Sequence, residues 1–481
     1  MTGAGGIGPE AIGTHAVVLG GGLAGMLTAA ALARHTDRVT VVERDELPDH
    51  PAPRKGVPQT RQLHVLMSGG ARAMDVLLPG TTARLRALGA HRLGVPEDVV
   101  TLSADGWQHR FPATQFMITC TRDLIDWVVR DQVLRDPKVR VRTGVEIAGL
   151  LGDADRVTGV RVTGVDGSGA RDLAADLVVD CTGRASRLEH WLGALGVPPI
   201  PTEVVDSGLA YSTRIYAAPE AHRTGFPVVN LFSDYRAGRP GRSASLVPVE
   251  GGRWLIGLTG TRGARPPVDE AGFADYAASL RDPLISRLMR AARPLTEPRG
   301  SHSAANRRLY CERVERWPDG LVVLGDALVA FNPVYGTGMS SAARCAVVLA
   351  GVLAGHGHEP GLARAAQHAI GEVVATPWIT ATTQDVRYPD CRTSLVDPRA
   401  LEVSEEQDRV GRWIGALSLR HAVVNAAMTE VITMTSPLSA LQRPEVVAAM
   451  TGAGSRPVLR EAPLRPAERA LVDEHSDRVD A

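Results

Sequence analysis

The chain has little of what most reaction centres are built from. Its five cysteines, Cys120, Cys181, Cys311, Cys345 and Cys391, are scattered, odd in number and without a CxxC pair. That pattern argues against a disulfide framework and a zinc site, and it fits a reducing cytoplasm. The only lysines are Lys55 and Lys138. Neither charge sign prevails, since Lys plus Arg and Asp plus Glu both total 53, so nothing draws the chain toward nucleic acid or an acidic membrane. No run of about 18 uncharged apolar residues occurs. The N-terminus also lacks the basic region and apolar stretch of a secretion signal. Neither a transmembrane segment nor secretion is expected, and the expected partner is a small molecule. The sequence shows no convincing Ser/His/Asp set, paired carboxylates, metal-ligand cluster or internal repeat. With 44% hydrophobic and 22% charged residues, the 481-residue chain reads as soluble, with length for two or three domains.

What is present is concentrated first in Ala16 to Asp45, AVVLGGGLAGMLTAAALARHTDRVTVVERD. Ala16 to Leu19 is an apolar run suited to a buried parallel strand. Met26 to Ala33 is rich in strong helix formers, and Val39 to Val42 reads as a second strand closed by Glu43. Between them Gly20, Gly22 and Gly25 fit GxGxxG. Gly20 permits the turn, Gly22 lets backbone approach a pyrophosphate and Gly25 lets helix and strand pack closely. The helix start, with Leu23 and Ala24, offers free N-H groups to phosphate, and Glu43, followed by Arg44, is placed to meet a ribose diol. A second GxGxxG match at Gly3, Gly5 and Gly8 has no preceding strand and is read as a flexible tail.

The loop after residue 45 holds four prolines and the cations Arg54 and Lys55, which can meet phosphate or simply stay solvated. A helix is expected over residues 64 to 78, with His64 packed on it. Arg122 opens another helix, where a cation is disfavoured by the dipole unless an anion compensates; that makes it a cofactor-contact candidate or a partner of Asp123 or Asp126. Strands are expected over residues 139 to 165 and at DLVVD, 176 to 180, which runs into CTGRASR. Alternating runs from Gly208 to Gly263 read as an antiparallel sheet, where substrate is to be sought. Helices are expected over 270–292, 362–375, 405–427 and 444–450. Residues 427–438 are apolar enough to touch a membrane surface, with packing on the domain preferred.

The second informative segment is GLVVLGDALVAFNPVYGTGMSSA, 320 to 342. Asp326 stands at a strand end where it can bind polyol hydroxyls. Gly336 and Gly338 open a helix running to about Gly355, whose positive end can stabilise an anionic reduced flavin. Phe331 and Asn332, beside Pro333, are expected as pocket walls, as are Tyr211 and Phe232.

In combination, GGGLAG with Glu43, Arg122, DCTGRASR and GDALVAFNPVYGTGM resemble the FAD-dependent monooxygenases of the aromatic hydroxylase and squalene epoxidase type. RKGVPQ, GWQHRFPATQ, ANRRLY, FNPVYGTGMSSAARC and YPDCR resemble, more narrowly, the flavin epoxidases of polyether ionophore biosynthesis of the monensin and lasalocid type. The resemblance implies an α/β fold. It would comprise a Rossmann-like FAD domain (12–85, 118–187, 300–356), an antiparallel substrate sheet (86–117, 188–299) and a C-terminal helical region (357–451), with flexible tails at 1–11 and 452–481. It implies FAD held by Gly20, Gly22, Gly25 and Glu43, by Arg122 and Asp326 at the ribityl and phosphate region, and by Gly338 and Met339 at the pyrimidine edge, with Pro333 on the reacting face. The implied activity is epoxidation of a linear polyene, free or carrier-bound, through a flavin C4a-hydroperoxide. O2 would be co-substrate, with NADPH or NADH as electron source, directly or through a flavin reductase. Two departures stand out: Thr182 replaces the Asp of the hydroxylases' DG motif, and Ser340 replaces a frequent Asn. The alternatives are an aromatic hydroxylase, an isoprenoid or polyketide reductase, and a binding module on the same scaffold. A flavin halogenase is disfavoured, as no WxWxIP stretch occurs.

Overall fold

In a computed structural model the described residues are 13–475 apart from 303, 304, 398, 400, 401 and 403. The first tail and its glycine repeat lie outside them. The centre is a five-stranded, all-parallel sheet in the order Leu321–Val323, Leu177–Asp180, His15–Leu19, Arg38–Val42, Val139–Arg142. The short apolar runs read as buried strands are buried here on both faces, as parallel strands must be. Helix Leu23–Leu32 crosses from the first strand to the second. Helix Gly338–His356 buries Met339, Ala342, Ala343, Ala346, Leu349 and Leu353, a spacing of three and four residues that makes one apolar stripe. It is also the one described helix long and apolar enough to cross a membrane, with Arg344 inside it, and half of it is buried in the protein.

An eight-stranded sheet forms the second body. Its strands run Arg293–Pro294, Ala210–Ala217, Arg253–Gly260, Arg242–Val249, Val228–Leu231, Val99–Ser103, Gly106–Trp107, with Arg299–His302 also paired to Ala210–Ala217. Period-two alternation sorts its side chains. Val100, Leu102, Leu231, Ala244, Leu246, Trp254, Ile256 and Leu258 lie on one face, packed under the helices Glu270–Ala278 and Leu284–Ala291. The opposite face turns toward the loop 57–65: Thr213 Oγ1 donates to Gln62 Oε1 at 2.6 Å, and Leu63 packs on Gly257.

Several expectations are corrected. His64 is not on a helix, because the chain pairs as the strand Leu66–Met67 before helix Ser68–Leu77 begins. Residues 188–200, expected with the substrate sheet, bury Leu188, Trp191, Leu192, Val197 and Ile200 in the core of the parallel sheet. Helix Leu362–Asp385 is longer than expected and packs Ala363, Ala366, Ile370, Val374 and Trp378 into that core, so it does not belong with a separate C-terminal region. The helix expected over 405–427 is two: Glu405–Ser418, started by a Ser404/Gln407 capping box, and Ala422–Ile432, with the Asn425 amide donating to the Ser418 carbonyl at the break. The expectation of a flexible second tail is corrected over its described part: helix Pro466–Glu474 buries Leu471 and Val472 in one apolar cluster with Leu284, Ile285 and Leu288 of helix Leu284–Ala291.

Candidate functional site

The glycine turn has the geometry its spacing requires. Gly20 has φ +94°, and a Cβ there would stand 2.8 Å from the Cys181 carbonyl oxygen; at Gly25 it would stand 1.9 Å from the Gly20 oxygen. Around Gly22 there is open space, and Gly22 caps helix Leu23–Leu32 without any side-chain hydrogen bond or first-turn acid. That helix end is therefore a free donor site for an anion. Leu23 is buried and Ala24 half-buried behind it. Glu43, 8% exposed, accepts from the amides of Gly21 at 2.7 Å and Asp45 at 2.8 Å. Its other neighbour is the buried Arg54, whose Nη1 lies 3.2 Å from Glu43 Oε2 yet has no aligned hydrogen bond. Arg44 and Lys55 are exposed, and Lys55 makes no ion pair among the described residues; of the loop cations only Arg54 enters the site.

Arg122 is compensated as the dipole argument demands. Its Nε donates to Asp126 Oδ1 at 2.7 Å, and both side chains are buried. Its Nη nitrogens have no described protein partner. His64 sits near this pair, and burial together with the Arg122 charge pushes its pKa down to about 4, so the ring is neutral above that pH.

Asp326 stands half-exposed in the turn Gly325–Ala327, its carboxylate 3.6 Å from Arg184 Nε. Arg184 was not singled out from the sequence. It donates to the carbonyls of Ala305 and Phe331, tying the CTGRASR turn to the FNPVYG loop. Within that loop Pro333 is exposed at the tip of the turn Pro333–Tyr335, and Gly336 closes it at φ +66°. The expectation that Phe331 and Asn332 are pocket walls is corrected: Phe331 is buried in the parallel-sheet core, and the Asn332 side chain turns inward to Asp385. Helix Gly338–His356 then starts with no side-chain cap and no first-turn acid, and the buried Thr337 Oγ1 has no partner among the described residues. Met339 is buried behind that end. Ser340 also finds its reason: its Oγ accepts from the Met67 amide at 3.2 Å, and a Cβ on Gly70 would come within 2.5 Å of its Cα, leaving no room for Asn.

The sheet face opposite helices Glu270–Ala278 and Leu284–Ala291 carries half-buried Tyr211, Thr259, Ser245, Asn230, Phe232 and Thr101. The Tyr211 hydroxyl donates to Asn332 Oδ1 at 3.2 Å, and burial keeps it protonated.

Residues 13–370 match the FAD binding domain family. The chain belongs to that family. It is a flavin-dependent monooxygenase. A Mycobacterium tuberculosis relative, protein Rv3254, is 32% identical over 335 residues, spanning 68% of this chain and 70% of its own length. The kynurenine 3-monooxygenase of Salinispora arenicola is 29% identical over 360 residues, 71% of this chain and 72% of that one. The flavin-dependent brominase Bmp2 superposes with a TM-score of 0.59 at 14% identity, over 97% of this chain and all of Bmp2, which is a likeness of fold. FAD fits the residues of this family member. Two uncapped helix ends, the open space at Gly22, the unpartnered Thr337 hydroxyl and the unaligned Arg54 Nη1 are the donors that an extended dinucleotide and a flavin pyrimidine ring call for.

Proposed function

We propose that this monooxygenase epoxidises alkenes of an elongated, uncharged polyene, the chemistry of polyether antibiotic assembly. The observation supporting this reading is a half-buried wall on the sheet face that turns toward the loop 57–65. It crosses five adjacent strands, from Tyr211 through Thr259, Ser245 and Asn230 to Thr101, and these five side chains are uncharged. At a strand spacing of about 4.8 Å the wall is about 19 Å wide, long for a single aromatic ring and suited to an extended chain. The resemblance of RKGVPQ, ANRRLY and FNPVYGTGM to polyether epoxidases supports the same substrate class.

In this reading FAD, when bound and reduced, supplies the activation of O2 and delivers one oxygen atom electrophilically. Gly22 and the start of helix Leu23–Leu32 hold its pyrophosphate, Glu43 its adenosine ribose and Arg122 and Asp326 the ribityl and phosphate region. Gly338 and Met339 meet the pyrimidine edge through their amides. Pro333 packs against the reacting face, and the sheet wall holds the alkene there and excludes water. The balance is alkene, O2, NADPH or NADH and a proton giving epoxide, water and the oxidised nicotinamide, with electrons passed directly or through a flavin reductase. The substrate is free or carrier-bound, and thiols without disulfides suit the cytoplasm. No protein nucleophile is needed.

Incubation of holoenzyme with a linear polyene, a reductant and labelled O2 tests this. One labelled oxygen atom gained per reacting alkene is the expected result; unlabelled gain, or none, overturns it. The likeness to kynurenine 3-monooxygenases favours the aromatic hydroxylase as second reading, for which phenol- or aniline-dependent NADPH oxidation without polyene turnover is the sign.

A further inference from the structure

Behind the Pro333 turn lies a buried carboxylate that the flavin chemistry does not require. Asp385 is 1% exposed and is the last residue of helix Leu362–Asp385. Among the described residues it forms no ion pair. The partial negative charge of a helix C-terminus makes an anion unfavourable there, so its retention needs a specific set of donors. The structure provides four, all uncharged. Asp385 Oδ2 accepts from Asn306 Nδ2 at 2.7 Å, Asn332 Nδ2 at 2.8 Å and Ser207 Oγ at 3.4 Å, and Oδ1 accepts from the Tyr335 hydroxyl at 2.8 Å.

The orientation of both amides is dictated by their other contacts. Asn332 Oδ1 accepts from the Val334 amide at 3.0 Å and from Tyr211, while Asn306 Oδ1 accepts from the Asn332 amide at 2.6 Å. Each Nδ2 therefore faces Asp385 as a donor, and Asp385 must accept from both. Burial raises its pKa and these donors oppose that rise. Residues on both sides of Pro333 are thus held by one anion, while Pro333 itself is exposed.

We propose that Asp385 is a positioning residue: the buried anion that sets the Asn332–Tyr335 turn, and with it Pro333, and that aims the Tyr211 hydroxyl proton at Asn332. Through Asn332 the chain of donors runs one way, from Tyr211 to Asn332 to Asp385. Tyr211 then presents lone pairs to whatever lies before Pro333. The proposal rests on the reading that this turn abuts the flavin ring. It adds a residue from beyond position 370, where the family match ends.

The test uses FAD-loaded protein and needs no polyene. Asp385→Asn keeps the shape but sets an amide against donors, and Tyr335→Phe removes one donor with little steric change. Both are expected to keep FAD, since its adenosine anchor is at Glu43, and both are expected to shift the absorption band and raise the fluorescence of the bound flavin. The double variant is expected to shift no further than Asp385→Asn alone, because the two act through one turn. With substrate, kcat falls about tenfold or more while the KM for the electron donor is unchanged. Wild-type flavin spectra in both single variants would overturn the proposal and leave the cofactor reading intact. Wild-type protein that takes up no FAD would overturn both.

Discussion

Glu43 does two things with one carboxylate: it shapes the backbone of the glycine turn through Gly21, and it neutralises Arg54 in a buried setting. Glu43→Gln keeps the size and one acceptor oxygen but leaves the guanidinium without its counter-charge. Removing one partner of a buried pair costs about 3 kcal/mol or more, so urea denaturation of Glu43→Gln is expected to show that loss together with a lower flavin content after gel filtration. Unchanged stability with unchanged flavin would separate Glu43 from both roles. His64 makes a second residue-scale prediction. Its folded pKa of about 4 lies below the usual 6.5, so between these values the unfolded chain binds a proton the folded one does not. Stability is then full above pH 6.5 and falls as pH drops toward 4, with a slope of at most one proton, about 1.4 kcal/mol per pH unit. His64→Gln is expected to flatten that part of a stability-versus-pH curve, and a slope unchanged by the substitution would refute the assignment.

At the scale of elements, the N-terminal end of helix Gly338–His356 depends on how closely helix Ser68–Leu77 approaches it. Gly69 donates its amide to the Thr433 carbonyl at 3.0 Å, and Gly70 lies against Ser340. Gly70→Ala puts a methyl 2.5 Å from the Ser340 Cα, and since that neighbour is backbone, one helix must move. Overpacking of this kind costs about 1–3 kcal/mol. Weaker FAD retention is expected as well, because the displaced turn carries the Gly338 and Met339 amides; titration of apoprotein with FAD measures it. The glycines also explain how much of the site was legible. The positive φ of Gly20 and the close approach of Gly25 to the Gly20 carbonyl are set within the βαβ unit, so GxGxxG with its strand, helix and Glu43 could be read without the fold, whereas the closeness of Gly20 to Cys181 could not. Asp385 could not. Its donors come from positions 207, 306, 332 and 335, and only the junction of four segments makes an aspartate at a helix end significant. Arg184 was hidden for the same reason, inside a turn that the sequence alone reads as small and ordinary.

For the whole molecule the parallel sheet and the antiparallel run of strands between 210 and 260 were both legible, because buried runs and alternating runs differ in period; that Val99–Ser103 joins the second sheet in parallel beside Val228–Leu231 was not, and it corrects the expectation of a wholly antiparallel sheet. What joins the two bodies was not legible either, as it depends on single polar contacts between distant segments. Thr121 at the start of helix Arg122–Val133 gives its amide and hydroxyl to Glu250 of the eight-stranded sheet, at 2.9 and 2.6 Å. The last described segment shows the same thing. Residues 452–475 are charged and proline-rich, which reads as flexible, yet Glu468 reaches Arg110 at 2.6 Å with both side chains more than nine-tenths buried. Glu468 also accepts from the Arg465 amide at 2.8 Å, capping its own helix, while Leu471 and Val472 fill the sheet's outer core. Glu468→Ala would leave Arg110 buried and unpaired, and a loss of about 3 kcal/mol or more is expected. Deleting residues 452–481 removes the apolar contacts too and should cost more. Because helix Pro466–Glu474 packs on helix Leu284–Ala291, on the side of the sheet away from Tyr211 and the loop 57–65, the flavin content of Glu468→Ala should stay at the wild-type level while its thermal midpoint falls. Limited proteolysis distinguishes this from a dispensable tail: wild-type protein should resist cleavage between 456 and 475, and Glu468→Ala should be cut there first. A wild-type protein trimmed at this segment without loss of thermal stability would show that the helix does not hold the substrate sheet.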